Sequence, residues 1–351
     1  MRGDALLFFS LLVLSDAMPS GKIGVNYGRL GNNLPSAGQS IESLRAMKAG
    51  SVKLYDANPE ILRLLAGTDI RVSIMVPNYE IINIATNQTS ANKWVEDNVL
   101  AYHPETMIRT ILVGNEVLSY CSDEGKRMWN HLVPAMRRIK ISLRAQDIHL
   151  DFHSIRLSIA ETGWPSAGDT GDTGASIYNA ATYNRNLVTK MTGRPPIGTP
   201  ARPGLFIPAF IFSLYDENQK TGPGTERHWG LLHANGTSIY QIDLTGKRAS
   251  SEYEPLPATH NDMPYGGKSW CVAAPDVNLT ELEGALTFAC SQGNGTCEAL
   301  TPGKECYEPL SVIWHASFAF SSYWAKFRSQ GASCYFNGLA VQTTSDPSES
   351  A

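Results

Sequence analysis

The sequence predicts an α/β fold of the (β/α)8 barrel type, with about six of the eight strands, followed by a small, disulfide-rich and mainly helical module. Short β-rich runs alternate with helical stretches from Ile23 to about Ser213, a pattern typical of parallel strands joined by crossover helices. The runs are largely apolar without strict alternation, as expected for strands buried on both faces. Five of the six cysteines lie within the segment Cys271–Cys334, which indicates a separate cysteine-dense module.

Six runs are predicted as strands, with helical stretches between them. The strands are Ile23–Tyr27, Val52–Tyr55, Arg71–Val76, Thr110–Gly114, Arg156–Ala160 and Leu205–Ser213, and the helices include Asn58–Ala66, Ala91–Leu100, Gly125–Ala145 and Ser176–Met191. A doubly wound open sheet is the alternative, but no G-x-G-x-x-G or P-loop motif supports a nucleotide-binding sheet. A closed barrel needs eight strands, and the interval between Gly114 and Arg156 holds only one helix and a short stub at Ile148–Phe152.

The composition and the N-terminus place the chain among secreted globular proteins. Hydrophobic residues make up 42% and charged residues 18% of the 351 residues, which is too apolar for disorder. The formal net charge of −4, without long runs of one sign, argues against a nucleic-acid partner. Arg2, the apolar run Ala5–Leu14 and the small residues of Ser15-Asp16-Ala17 predict a signal peptide, with a buried N-terminal helix as the alternative. No later segment is long and apolar enough to span a membrane.

A segment rich in proline, glycine and tyrosine separates the two predicted folded regions. The chain is accordingly divided into a signal peptide at 1–20, a barrel at 21–251, a linker at 252–268 and a module at 269–348. Secretion favours disulfides among the clustered cysteines, whereas a zinc site would be expected to show a CxxC pair, which is absent. Four N-x-S/T sequons predict glycosylation, at Asn87, Asn235, Asn278 and Asn294.

Two glutamates follow predicted strands in the same way. Glu116 comes after Ile111–Val113 through Gly114-Asn115, and Glu161 follows Leu157–Ala160 directly. The carboxyl ends of parallel strands form the catalytic face of a barrel, so both side chains are expected there. Glycoside hydrolysis requires such a pair: one carboxyl protonates the leaving oxygen and the other attacks the anomeric carbon or activates water. The alternative is that both are ordinary salt-bridge partners.

Aromatic and polar residues near the strand ends suit a sugar ligand. Flat rings stack on the apolar faces of pyranoses, although the same residues also suit a core or rim position. The aromatic candidates are Tyr27, Tyr55, Trp164, Phe212 and Tyr215. The segment Asp216–Lys220 and Glu226 follow the last strand, where they would hydrogen-bond sugar hydroxyls or set the pKa of Glu161; ordinary loop charges are the alternative.

The first 250 or so residues resemble plant glycoside hydrolase family 17, the endo-1,3-β-glucosidases. The resemblance lies in six motifs that occur in the family's order: Ile23–Gly28, Val52–Ala57, Val113–Val117, Glu161–Ser166, Phe212–Lys220 and Thr225–Arg227. It implies a monomeric enzyme of the extracellular space or cell wall, without cofactor or metal, that acts on 1,3-β-glucan with retention. Glu116 would be the acid/base and Glu161 the nucleophile. Substrate-binding or supporting residues would be Asn26, Tyr27, Tyr55, Asn115, Trp164, Phe212, Glu217, Lys220 and Glu226. Asp216 departs from the Asn of some members.

The second module resembles the family 43 carbohydrate-binding modules, which bind 1,3-β-glucan. The motifs are Ser269–Ala273, Ala285–Cys290, Pro302–Tyr307 and His315–Phe320. The family's pairing implies the disulfides Cys271–Cys334 and Cys290–Cys297. It leaves Cys306 and Cys121 unpaired, since the sixth module cysteine, expected after Thr343–Ser348, is absent. The hydrophobic tail of a C-terminal lipid-anchor signal, which many members carry, is not seen either.

The chain departs from the resembled family between its two glutamates. The fifth and sixth βα units are missing, because Arg144–Ile148 leads almost directly to Ser154–Ser158. The strands Thr110–Gly114 and Arg156–Ala160 would then have exposed edges or pair with each other. A retaining mechanism needs a carboxyl separation of about 5–5.5 Å. The alternatives to an active enzyme are therefore a non-catalytic glucan-binding protein and a variant product that does not fold stably.

Overall fold

The computed structural model describes residues 14–15, 23–146, 148, 158–199, 202–259, 268–292, 295–307, 311–330 and 332–347. The elements up to the predicted linker are β1 Leu14–Ser15, β2 Gly24–Asn26, α1 Ala37–Ala46, β3 Ser51–Lys53, α2 Pro59–Leu64, β4 Arg71–Val76, α3 Ile81–Thr86, α4 Gln88–Val95, β5 Ile108–Val113, α5 Asp123–Ala145, β6 Ile159–Thr162, α6 Ile177–Thr192, β7 Gly198–Thr199, β8 Arg202–Pro203 and β9 Ala209–Ile211. Those that follow are β10 Trp270–Ala273, α7 Leu279–Ser291, α8 Val312–Phe327 and β11 Ala340–Thr343.

Six parallel strands form an incomplete barrel in the order β5-β4-β3-β2-β9-β6. This confirms the predicted barrel-type fold with about six strands. Within the described residues, β5 and β6 do not pair with each other, so the sheet stays open at both ends. Leu14 and Ser15 of β1 pair antiparallel with Ile111 and Thr110 on the outer edge of β5. The rest of the predicted signal peptide and residues 149–152 of the predicted stub lie outside the described residues.

Local sequence signals place the helix starts. Ser36 and Gln39 form a reciprocal capping box at α1, and the Asn58 side chain accepts the backbone N–H groups of Glu60 and Ile61 at the start of α2. The strand predictions differ from the structure by up to four residues at their ends, the largest difference being the start of β9 at Ala209 instead of Leu205. The largest consequence concerns β6, which begins at Ile159 and ends at Thr162, so that Glu161 lies within the strand. The cause is pairing with β9, which extends to Thr162 opposite Ile211.

The core of the barrel lies on both faces of the parallel strands. Val25, Val52, Val72 and Ile74 are fully buried, in line with their apolar runs. Buried side chains of helices α1 to α6 share one hydrophobic core with those of the strands, and α3 packs extensively on α5. A second, separate hydrophobic core belongs to the C-terminal region, which is built from α7, α8 and the antiparallel pair β10/β11.

The predicted disulfides are present in the C-terminal region, as Cys271–Cys334 and Cys290–Cys297. The thiols of Cys121 and Cys306 are free, as predicted, with Cys121 exposed and Cys306 half-buried. The sequon residues Asn87, Asn235 and Asn278 are exposed, and Asn294 lies outside the described residues. Among the helices that the structure describes, none is both long and apolar enough to cross a lipid bilayer.

Candidate active site

A buried lysine connects the centre of the sheet to its edge. Lys53, the last residue of β3, is only 1% exposed, and its ammonium forms an ion pair with the carboxylate of Glu161 on β6. Strand β6 lies three positions from β3, through β2 and β9. In a flat sheet with strands about 4.8 Å apart, that interval would be about 14 Å. The ion pair therefore shows that the six strands still curl toward a barrel interior, although the barrel is not closed.

Further side chains hold Glu161 in this interior. The Glu161 side chain is 17% exposed and accepts a hydrogen bond from the Tyr55 hydroxyl. Asn26 is fully buried at the end of β2, where its amide donates to Tyr55 Oη at 3.2 Å and to the carbonyl of Ala160 at 3.0 Å. Burial and the Glu161 charge both raise the pKa of Tyr55 well above its ordinary value, so the hydroxyl keeps its proton as a donor. Asn26 thus orients Tyr55, and Tyr55 orients Glu161.

Glu116 lies in a constrained turn at the other end of the sheet. Gly114 has a φ of 77°, and an added Cβ would meet Val117 and Ile81 at less than 3 Å. Asn78 clamps the next residue, since its side chain accepts from Asn115 N at 2.7 Å and donates to Asn115 O at 2.9 Å. Glu116 itself has a left-handed backbone with φ 50°, which costs a non-glycine residue of order 1 kcal/mol. Such strain often marks a residue whose orientation matters for function.

The charges of the two glutamates are coupled. Burial raises the pKa of Glu116 above its ordinary value, the negative charge of Glu161 raises it further, and the cations Lys53 and Lys220 oppose both effects. Burial lowers the pKa of Lys53, against the attraction of Glu161 and Glu116. Glu116 therefore holds its proton more readily than a free glutamate, whereas Glu161 is paired with the ammonium of Lys53. Glu161 and Lys53 are both near enough to Glu116 to change its pKa electrostatically.

The segment after β9 supplies the remaining predicted polar residues. Lys220 Nζ lies 3.0 Å from Glu226 Oε2 and 4.2 Å from the centre of the Phe212 ring, and all three side chains are partly exposed. Glu217 is different, because it is only 3% exposed and accepts the backbone N–H of Leu30 at 2.7 Å. Burial raises its pKa. Glu217 thus ties the loop after β2 to the loop after β9, whereas Lys220 and Glu226 form a partly exposed ion pair beside Phe212.

The predicted aromatic residues divide into buried core residues and partly exposed residues. Tyr27 and Tyr215 are 4% and 1% exposed and pack edge-on, with centroids 6.3 Å apart, which leaves little surface for a sugar. Trp164 is half-buried beside the Glu161 strand, with its indole N–H donated to the carbonyl of Gly174 at 2.7 Å. Phe212 is also half-buried and packs edge-on against Trp229 at 5.9 Å. Tyr55, Trp164 and Phe212 are therefore the predicted rings that keep exposed surface.

Two residues of the site are missing from the sequence prediction. Trp229 supports Phe212, and nothing in its local sequence distinguishes it from other loop aromatics. The sequence does indicate a special position for Lys53, since this lysine lies between Val52 and Leu54 and interrupts an otherwise apolar strand. A charged residue in such a position is almost never fully buried unless it is paired.

Comparisons with known proteins agree with this geometry. The family model "Glycosyl hydrolases family 17" matches residues 23–153 and 150–244, and the "X8 domain" matches residues 269–341. The two segments of the first match meet at the point where the sequence predicts the loss of two βα units. The match to the X8 domain covers the region of α7, α8 and the two disulfides.

Curated relatives align along nearly the whole chain. "Probable glucan endo-1,3-beta-glucosidase A6" of Arabidopsis thaliana is 44% identical over 429 residues, which cover 93% of this chain and 89% of the relative. "Glucan endo-1,3-beta-D-glucosidase" of Olea europaea is 26% identical, with 99% and 97% covered. Since 93% of 351 residues is about 326 residues, about 100 of the 429 positions have no counterpart here. This shortfall is consistent with the internal loss.

Solved structures share the fold. CJP38, a β-1,3-glucanase and allergen of Cryptomeria japonica pollen, superposes with a TM-score of 0.58 at 26% identity, covering 64% of this chain and 99% of that one. A structure from a study of two plant β-glucan endohydrolases gives a TM-score of 0.54 at 24% identity, covering 63% and 100%. The curled six-stranded sheet, the coupled carboxylates and the matching family model lead to one conclusion: the chain belongs to glycosyl hydrolases family 17, is a glycoside hydrolase by descent, and carries a C-terminal X8 domain.

Proposed function

We propose that the chain is a secreted enzyme that cleaves internal bonds of 1,3-β-glucan with retention of configuration, and that its C-terminal region binds the same polymer. The relatives' names supply the substrate class. One observation carries the mechanism: burial and the Glu161 charge raise the pKa of Glu116, while Glu161 itself is paired with buried Lys53. Two carboxyls in such different environments suit an acid and a nucleophile.

The chemistry follows from these environments. Protonated Glu116 donates its proton to the glycosidic oxygen as that bond breaks, and the carboxylate of Glu161 attacks the anomeric carbon to form a covalent glycosyl-enzyme. Formation of this ester removes the negative charge of Glu161, and with it one of the causes of the raised pKa of Glu116. After donating its proton, Glu116 therefore stays ionised more readily, and its carboxylate is available to accept a proton from the attacking water. Lys53 balances the charge of Glu161 before the bond forms.

Other residues orient the substrate in this proposal. Phe212 and Trp164 offer ring faces to the sugar, and Lys220 and Glu226 offer polar groups to its hydroxyls. Asn26 and Glu217 are too buried to contact a polymer and act as supports of Tyr55 and of the loop after β9. No step of the reaction requires a cofactor or a metal ion.

Chemical rescue tests the roles of the two glutamates. We expect purified parent protein to release shorter oligosaccharides from laminarin, a soluble 1,3-β-glucan, and both Glu161→Gln and Glu116→Gln to lose at least about a thousandfold in rate. With an activated aryl glycoside and azide, Glu161→Gly is expected to yield the α-glycosyl azide and Glu116→Ala the β-glycosyl azide. Glu42→Gln is the matched control, since Glu42 is an exposed residue on α1. Activity that survives Glu161→Gln would refute the assignment.

A non-catalytic role in glucan binding is the second candidate, favoured by the open sheet. Strands β5 and β6 are its outermost parallel strands, with β1 added antiparallel on β5, and the units absent between β5 and β6 would carry part of the cleft wall. In this case the C-terminal region would retain the protein on insoluble 1,3-β-glucan, and no product would appear over many hours. Pull-down and product analysis on the same sample separate the two functions.

A further inference from the structure

The C-terminal region contacts the catalytic segment after β9 through one buried tyrosine. Tyr335 is 9% exposed, and its hydroxyl donates to the backbone carbonyl of Asn218 at 2.6 Å. The guanidinium of Arg227 lies 4.0 Å from the centre of the Tyr335 ring, a close cation–π contact. Asn218 directly follows Glu217, so Tyr335 touches the same segment that carries the polar residues of the cleft.

Arg227 transmits this contact to Lys220. Its Nη1 donates to the carbonyls of Lys220 at 3.1 Å and Gly222 at 3.2 Å, which fixes the backbone on both sides of the turn. Ser333 of the C-terminal region donates to the same carbonyl of Gly222 at 3.1 Å. The backbone position of Lys220, whose ammonium lies over Phe212 and next to Glu226, therefore depends on a cation that rests on Tyr335.

A second contact reaches the loop after the Glu161 strand. Gln342 on β11 accepts hydrogen bonds from the backbone N–H of Thr170 at 3.0 Å and from its hydroxyl at 2.8 Å. The neighbouring Asp169 accepts the N–H of Gly224 at 3.0 Å, which joins the loop after β6 to the loop after β9. The C-terminal region thus spans both loops that border the nucleophile.

The contacting residues belong to one rigid unit. Cys334 precedes Tyr335 and forms a disulfide with Cys271 on β10. Strand β10 pairs with β11, where Gln342 lies directly opposite Cys271. A disulfide and an antiparallel pair therefore hold Tyr335 and Gln342 at a set spacing, so the two loops are held relative to each other.

We propose that the C-terminal region is a fixed wall of the active-site cleft rather than a tethered appendage, and that Tyr335, acting through Arg227, is a positioning residue for Lys220. Its effect on catalysis rests on the proposed function, whereas the docking itself does not. A freely tethered module would not form these contacts. Here the buried Tyr335 donates to the loop after β9, and Gln342 accepts two hydrogen bonds from the loop after β6.

The docking is tested without any assay of hydrolysis. We expect Tyr335→Ala and Gln342→Ala to split a single thermal transition of the parent into two, and to speed proteolytic cleavage within the predicted linker 252–268 by at least about tenfold, because the linked regions open separately. Tyr323→Ala is the matched control, since Tyr323 packs only on the aromatic residues of its own module among its described ring contacts. Unchanged melting and proteolysis in both interface variants would overturn the docking.

The positioning role has its own readout. Lys220 is one of the cations that oppose the raised pKa of Glu116, so its displacement should raise that pKa further. We expect Tyr335→Ala and Arg227→Met to raise it by about half a unit in carboxyl-carbon NMR titrations, with the alkaline limb of kcat/KM moving equally in an active protein. Tyr323→Ala should leave it unchanged. If Tyr323→Ala shifts the pKa of Glu116 as much as Tyr335→Ala does, the positioning role is overturned. The NMR titration measures this pKa even in a protein that does not hydrolyse glucan.

Discussion

Replacement of Lys53 by methionine removes the ammonium that is paired with Glu161 and keeps an unbranched side chain of similar length. The lysine is 1% exposed and the Glu161 side chain 17%, so water replaces little of the lost interaction. Removal of one partner from a buried ion pair costs about 3–5 kcal/mol, because the other charge is left uncompensated. Glu161 retains its hydrogen bond from Tyr55 and some contact with water, so we expect the lower end, about 3 kcal/mol.

The loss is measurable as a fall in thermal stability. For a domain of 150–250 residues, about 3 kcal/mol corresponds to a decrease in Tm of about 6–12 °C. Urea unfolding followed by tryptophan fluorescence gives the free energy of unfolding directly. Lys93→Met is the matched control, because Lys93 forms an exposed ion pair with Asp97 on the helical surface, and we expect no measurable change there.

A double-mutant cycle decides whether the ion pair is the cause. Glu161→Gln alone leaves the buried ammonium of Lys53 without its counter-ion and should also destabilise the protein. The double variant removes both charges, so its loss should fall short of the sum by about 2 kcal/mol. If the two losses add within about 0.5 kcal/mol, Lys53 and Glu161 are not energetically coupled and the account of the interior is wrong.

The remaining predictions concern the charge of Glu116 and the support of the cleft. Glu161→Gln removes one charge that raises the pKa of Glu116, so that pKa should fall in a carboxyl NMR titration, and a rise would contradict the coupling. Gly28→Ala should lower the free energy of unfolding by about 1–3 kcal/mol, because its Cβ would lie 2.4 Å from both Glu217 carboxylate oxygens. Gly38→Ala is the control: its Cβ would meet open space on α1, so the free energy of unfolding should stay the same or rise. Equal effects of the two substitutions would contradict the packing around Gly28. Burial raises the folded-state pKa of Glu217, so its contribution favours folding below the unfolded pKa of about 4.3 and fades as pH rises through the folded value. Denaturation of Glu217→Gln from pH 4 to 7 should therefore show less loss of stability with rising pH than the parent.

Part of the site follows from local sequence. Gly114 places Glu116 after a strand because its left-handed backbone favours glycine, and that constraint acts within a few residues. The clamp of Asn78 on the backbone of Asn115, by contrast, comes from 37 positions away. The position of Glu161 within β6 differs from the prediction because pairing with β9, about fifty residues away, sets the end of the strand. The position of Tyr27 likewise does not follow from local sequence. Nothing in its motif distinguishes a ring that packs on Tyr215 from one that faces a sugar.

By itself, the sequence determined the alternation of strands and helices, the two glutamates, the disulfide partners and the absence of two βα units, because each depends on short-range chemistry or on a family's motif order. Only the tertiary structure decided whether Glu116 and Glu161 act on a common interior. Glu116 follows β5 and Glu161 lies in β6, the outermost two of the six parallel strands, and their electrostatic coupling depends on how strongly these strands curl. Curvature is the sum of the twist and packing of all strands and helices, which no local pattern specifies.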